Sequence, residues 1–100
     1  MSESKSEKKP ILFSLGQLVA TPGALLALQR SNQSYIGFIA RHLRGDWGEV
    51  LCKEDWELND QAVKEGTRIL SAYKTSQGEK IWIITEWDHS VSTILLPSEY

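Results

Sequence analysis

Three short apolar runs lie close together between residues 67 and 100, and they constrain the fold more than any other part of the chain. They are Arg68-Ile69-Leu70-Ser71-Ala72-Tyr73, Ile81-Trp82-Ile83-Ile84-Thr85-Glu86-Trp87 and Val91-Ser92-Thr93-Ile94-Leu95-Leu96. Each has the length of a strand and is rich in β-branched or aromatic residues. Thr75-Ser76-Gln77-Gly78-Glu79 joins the first two, a glycine-containing loop of hairpin length. Asp88-His89-Ser90 joins the second and third with turn-forming residues. Connections this short force antiparallel pairing, because a parallel return needs a crossover of about a dozen residues. Pro97 ends the last run, having no N–H to give to a ladder.

Side chains alternate along a strand, so Ile81, Ile83, Thr85 and Trp87 share one face of the middle run, and Trp82, Ile84, Glu86 and Asp88 the other. Both faces start apolar. A strand of this kind sits at the centre of its sheet or is covered on both sides. Helices from the first two-thirds of the chain supply one cover. The other face calls for a further one, with a homodimer through the sheet as a candidate.

The chain has 100 residues, enough for one domain with a real core. Its 41% hydrophobic and 24% charged residues are ordinary for a globular domain. A formal net charge of −2 argues against binding nucleic acid through overall charge. The single cysteine, Cys52, has no intrachain partner for a disulfide, which fits a reducing cytoplasm. No run has the length of a transmembrane helix. Residues 1–10 are polar and charged and read as a disordered tail, leaving residues 11–100 as a single domain.

Within that domain, residues 11–20 are apolar but irregular, and Ser14 and Gly16 break a helix there. Part of the segment reads as a fourth, edge strand. Thr21-Pro22 starts a helix that runs to about Arg30, with threonine as N-cap and proline in the first turn. Ser34 opens a second helix, whose Tyr35, Phe38, Ile39 and His42 fall on one stripe before Gly45 stops it. A third helix spans 53–65 and ends at Gly66. Its apolar residues are spread around the wheel, so packing must hold it. The expected architecture is α+β: N-terminal helices packed on a C-terminal antiparallel meander of three to four strands.

No motif for catalysis, cofactor or metal stands out. His42 and His89 are the two histidines, and either, with Asp46, Glu86 or Asp88, would be the catalytic pair of a small metal- or acid/base-dependent hydrolase or nuclease. The competing reading makes His42 a core residue and Glu86–His89 a solvated turn. No metal is expected, since no second histidine or cysteine stands at ligand spacing. Arg41 and Arg44 near a helix C-terminus suit a carboxylate or phosphate, and equally suit the helix dipole. With Arg68 they define a nucleic-acid-binding alternative that the charge balance disfavours. Asp46, Glu49, Glu54, Asp55, Glu57 and Asp60 stand against Lys53 alone, with Trp47 and Trp56 between them. This acidic stretch suits a basic protein partner. Cys52 precedes the third helix, with no base at a spacing that would make it a nucleophile.

Several stretches together have a recognisable pattern: residues 15–25 (Leu15-Gly16-Gln17 through Thr21-Pro22-Gly23), Ala40-Arg41-His42 with Gly45-Asp46-Trp47-Gly48, residues 68–73, residues 81–86, and Leu95-Leu96-Pro97-Ser98-Glu99-Tyr100. They resemble a family of small bacterial proteins labelled uncharacterised or plasmid-related, some carrying a type I restriction label. The resemblance covers residues 12–100. It implies a bacterial cytosolic protein that travels with mobile DNA, and it brings no substrate. Gly37, where a capping-box glutamate would follow Ser34, and Cys52, where a polar cap would sit, depart from the pattern. The function expected from residues and resemblance together is a non-enzymatic protein-interaction module of plasmid or mobile-element biology, antirestriction-like in one version. Its partner-binding residues would be Arg41, Arg44, Asp46, Trp47, Glu54, Asp55 and Glu57.

Overall fold

The computed structural model describes residues 10–100, so the expected polar tail lies, but for Pro10, outside the described residues. The elements in chain order are β1 (Gln17–Ala20), α1 (Pro22–Ser31), α2 (Tyr35–Leu43), α3 (Lys53–Glu65), β2 (Ile69–Lys74), β3 (Lys80–Thr85), β4 (Val91–Leu95) and a 3₁₀ turn (Pro97–Glu99). The class is α+β. The four strands form one sheet in the order β1-β4-β3-β2.

The hairpins β2–β3 and β3–β4 are antiparallel, as their short loops require. The fourth strand departs from the all-antiparallel expectation: β1 runs parallel to β4, with Gln17 beside Val91 and Ala20 beside Ile94. The crossover between these strands holds all three helices and the other two strands. β3 also ends earlier than its apolar run, at Thr85, so Glu86, Trp87 and Asp88 belong to the turn and share no strand face.

Helix ends follow local chemistry. The Thr21 hydroxyl accepts from the Ala24 amide and caps α1, and Asn32 closes that helix in the left-handed conformation. Ser34 caps α2, while Cys52 stands at the N-cap of α3 without a side-chain bond to its backbone. The inner sheet face packs under α1 and α2. Ala24, Ala27, Leu28, Phe38 and Ile39 meet Tyr73, Ile81, Ile83 and Ile94, and all of these are buried. Each fully buried isoleucine contributes roughly 1.5–3 kcal/mol relative to exposure.

The helix α3 lies beside β2. A second cluster of Trp47, Ala62 and Ile69 joins the two, with Phe13, Trp56 and Val63 around it. The outer sheet face is covered in part within the same chain. Ile84 and Leu95 are buried there, and Tyr100 sets its ring edge against Trp82 at 5.6 Å. The Arg68 guanidinium lies 5.3 Å above the Tyr100 ring and donates to its hydroxyl. Among the described residues no helix is long and apolar enough to cross a membrane.

Candidate functional site

His42 is fully buried on the inner sheet face. Its Nδ1 meets the Ser71 hydroxyl of β2, and its Nε2 lies 2.9 Å from the Thr85 hydroxyl of β3. The chain continues from Thr85 to the Ser92 hydroxyl of β4 at 2.7 Å, and from Ser92 to the Leu15 carbonyl at 2.8 Å. The carbonyl can only accept, so Ser92 donates to Leu15, Thr85 donates to Ser92, and His42 Nε2–H donates to Thr85. Burial, with His89 nearby, pushes the His42 pKa down to about 3. The ring is therefore the neutral Nε2–H tautomer, and Ser71 donates to Nδ1. Phe13 and Trp47 close over the ring edge-on at 5.1 and 5.8 Å. The arrangement ties α2 to three strands and leaves neither nitrogen open to a substrate.

Asp46 lies in the loop after α2 and organises the corner that the sequence singles out. Its carboxylate receives Arg41 through Nε at 2.7 Å, and it also takes the Gly48 amide. Its carbonyl receives the Tyr73 hydroxyl at 2.6 Å. Arg41 also reaches Glu49 at 2.9 Å and lies 4.5 Å above the Tyr73 ring. These carboxylates, with Asp46 the stronger partner, raise the Arg41 pKa, and burial raises that of Tyr73. Burial opposes ionisation of Glu49, but Arg41 and the Lys74 amide outweigh it and hold its pKa below the ordinary carboxylate range. Trp47 is fully buried and donates to Asp60 at 2.9 Å, while Trp56 donates to the Gly48 carbonyl at 3.0 Å. Arg41, Asp46 and Trp47 are thus engaged in internal contacts. Arg44 bonds the Ala40 carbonyl.

This loop seals the outer edge of β2. The Ala72 amide donates to the Trp47 carbonyl, and the Val50 amide donates to the Ala72 carbonyl. The Lys74 amide donates to Glu49, and the Asn59 side chain binds both backbone groups of Leu70. The outward groups that would otherwise recruit another strand are therefore occupied at Leu70 and Ala72, and the outward amide is occupied at Lys74.

His89 stands at φ +58 in the β3–β4 turn, and its Nε2 donates to the Thr67 carbonyl at 3.2 Å. Asp88 turns instead toward Ser90, whose hydroxyl and amide hold its pKa low. Glu86 accepts the His89 amide through its carbonyl. The polar residues of this turn bond to one another and to backbone, with no carboxylate bonded to either imidazole among the described residues. Among the described residues, no group of three or more His, Cys, Asp or Glu is placed to hold a metal ion.

One feature left for a partner is a groove of 320 Å³ between α3 and the outer sheet face. Leu51, Leu58, Leu70, Trp82 and Tyr100 line it, with Asp55 and Asn59 from α3 and Arg68 before β2 as its polar residues. Leu58 and Tyr100 are 63% and 68% exposed, large values for apolar and aromatic residues. α3 carries Glu54, Asp55, Glu57, Asp60 and Glu65 against Lys53 and Lys64. None of its acids takes part in an ion pair among the described residues.

No protein-family model, curated protein or solved structure matches this chain.

Of the residues lining the groove, the sequence singles out Asp55 and Arg68, while the apolar Leu51, Leu58, Leu70 and Tyr100 are not read from it as a site. The hydroxyl chain around His42 has a clearer signal: Ser71, Thr85 and Ser92 sit at inward positions of three apolar strands.

Proposed function

We propose that this chain is a non-enzymatic protein-interaction module, an accessory factor of plasmid or mobile-element biology, that binds a basic protein partner. The observation that carries the reading is the apolar groove beside α3, which has Asp55 and Arg68 as its charged lining and lies along a helix whose acids no cation of the described residues pairs. Apolar anchors in a pocket supply affinity, while rim charges select the sign of the partner and speed encounter. The mobile-element context is carried by the motif resemblance. His42, enclosed and neutral, favours this reading over hydrolysis.

The test is affinity capture with the wild-type chain beside the triple variant Glu54→Lys, Asp55→Lys, Glu57→Lys. These positions are exposed and make no backbone cap, so the variant should keep its fold. A basic protein retained by the wild type, released as salt rises and lost in the triple variant, is the expected result. Equal capture by both would sink the acidic-surface reading.

A further inference from the structure

The two edges of the sheet are treated differently. On β2, side chains and the 46–50 loop occupy outward backbone groups at Leu70, Ala72 and Lys74. On β1, the amides of Gln17 and Thr21 donate to Ser90 and Ile94, which fixes odd-numbered residues toward β4. The N–H and C=O groups of Leu18 and Ala20 therefore point away from the sheet, and no partner meets them among the described residues. Beside this edge lies a slot of 140 Å³ flanked by Leu25 and Tyr35, both exposed. No charged side chain lines it.

We propose that two copies of this chain join antiparallel through the outer edges of β1, about a two-fold axis at Val19. The outward groups are symmetric about that residue. Leu18 of one copy pairs with Ala20 of the other, Ala20 with Leu18, and each pair exchanges both of its backbone hydrogen bonds. Val19 then faces its own counterpart as a non-hydrogen-bonded pair, with Cα atoms about 4.5 Å apart. Its side chain lies on the outer face and is 39% exposed in the single chain.

A second copy is the occupant that the surroundings favour. The slot is uncharged, so two copies meet without like-charge repulsion, whereas contact through the acidic α3 would oppose one negative helix to another. The β2 edge is sealed, so pairing at β1 closes at two copies and cannot propagate into a fibre. The result is a continuous eight-stranded sheet that leaves the groove beside α3 free. This proposal does not rest on the partner reading given above.

The experiment compares the mass in solution of the wild type, Val19→Lys and Val19→Glu by sedimentation equilibrium over a range of concentrations. The wild type should be a dimer and each charged variant a monomer with unchanged circular dichroism. An equimolar mixture of the two variants should regain the dimer mass, because opposite charges then face each other. Amide exchange should show Leu18 and Ala20 protected in the wild type and unprotected in either variant alone. A monomeric wild type, charged variants that remain dimeric, or a mixture that stays monomeric would each overturn the proposal. So would a monomeric wild type that gains protection at Leu18 and Ala20 only on binding an unrelated extended peptide.

Discussion

Asn59 takes the place of a neighbouring strand for Leu70. Its Nδ2 donates to the Leu70 carbonyl at 2.6 Å, and its Oδ1 accepts the Leu70 amide at 3.1 Å. The side-chain amide reproduces the donor and acceptor of a peptide group, so one residue of a helix completes the ladder at an edge. Asn59 is buried, and water does not readily replace it.

Removing that amide should be costly. Asn59→Ala leaves a backbone donor and acceptor without partners, each worth about 1–3 kcal/mol when buried. The expected loss is about 2 kcal/mol in urea unfolding, with the slope against denaturant unchanged. A loss within the error of the method would show that the edge is wetter than the geometry indicates.

Acid should destabilise the fold through His42. The folded chain holds this ring neutral down to about pH 3, while in the unfolded chain it takes up a proton near its ordinary value of 6.5. Stability is therefore complete above about 6.5 and falls as pH drops below it, approaching about 1.4 kcal/mol per pH unit. The depressed carboxylates of Glu49, Glu79, Asp88 and Glu99 add their own losses lower, below about 4.5. Unfolding measured between pH 6.5 and 4.5 isolates the histidine. His42→Gln should be less stable at pH 7 and flatter across this window, and an equal slope in both proteins would contradict the buried neutral ring.

Two glycines should respond in opposite directions. Gly48 has φ +99, and a Cβ there would collide with the Ala72 carbonyl oxygen. Gly48→Ala should break the seal on β2 and lose several kcal/mol, on the order of a severe core defect. Gly37 stands within α2, and a methyl group added there would meet nothing within 4 Å. Gly37→Ala should stabilise by about 0.5–1 kcal/mol through helix propensity. Thermal unfolding of the two variants beside the wild type checks both signs.

Local signals explain which parts of this fold are readable in the sequence. The third helix is legible at 53–65 and is found there, because Gly66 stops it with an αL cap. Thr21-Pro22 marks the start of α1 for equally local reasons. The parallel pairing of β1 with β4 is not readable, since an irregular four-residue strand carries no mark of a partner this distant. Asn59 gives no signal either. A polar residue in the middle of a polar helix looks solvated until the position of β2 is known. The apolar run that continues to Trp87 puts Glu86 and Asp88 on one strand face, but the ladder with β2 stops at Thr85. The motif Arg41-His42 with Gly45-Asp46-Trp47-Gly48 stands out in sequence, and Arg41, His42, Asp46 and Trp47 each make side-chain bonds within the chain.

Glu99 has a consequence for how the chain reaches its fold. Its carboxylate receives the Thr21 hydroxyl and the Gly23 amide at the start of α1, the latter 76 positions away in the chain, and also the Leu96 amide. A Cβ on Gly23 would collide with that carboxylate, so the contact is close. The first helix therefore gains its full set of N-terminal partners only after the final turn has been made. During synthesis, β1 must wait for β4, and α1 for Glu99, while their apolar faces stay unpaired. Contacts this distant in sequence slow folding, because loop closure must precede the contacts that stabilise it. The sheet can close only once residues 91–99 are in place, and until then the apolar faces of β1 and α1 lack their partners.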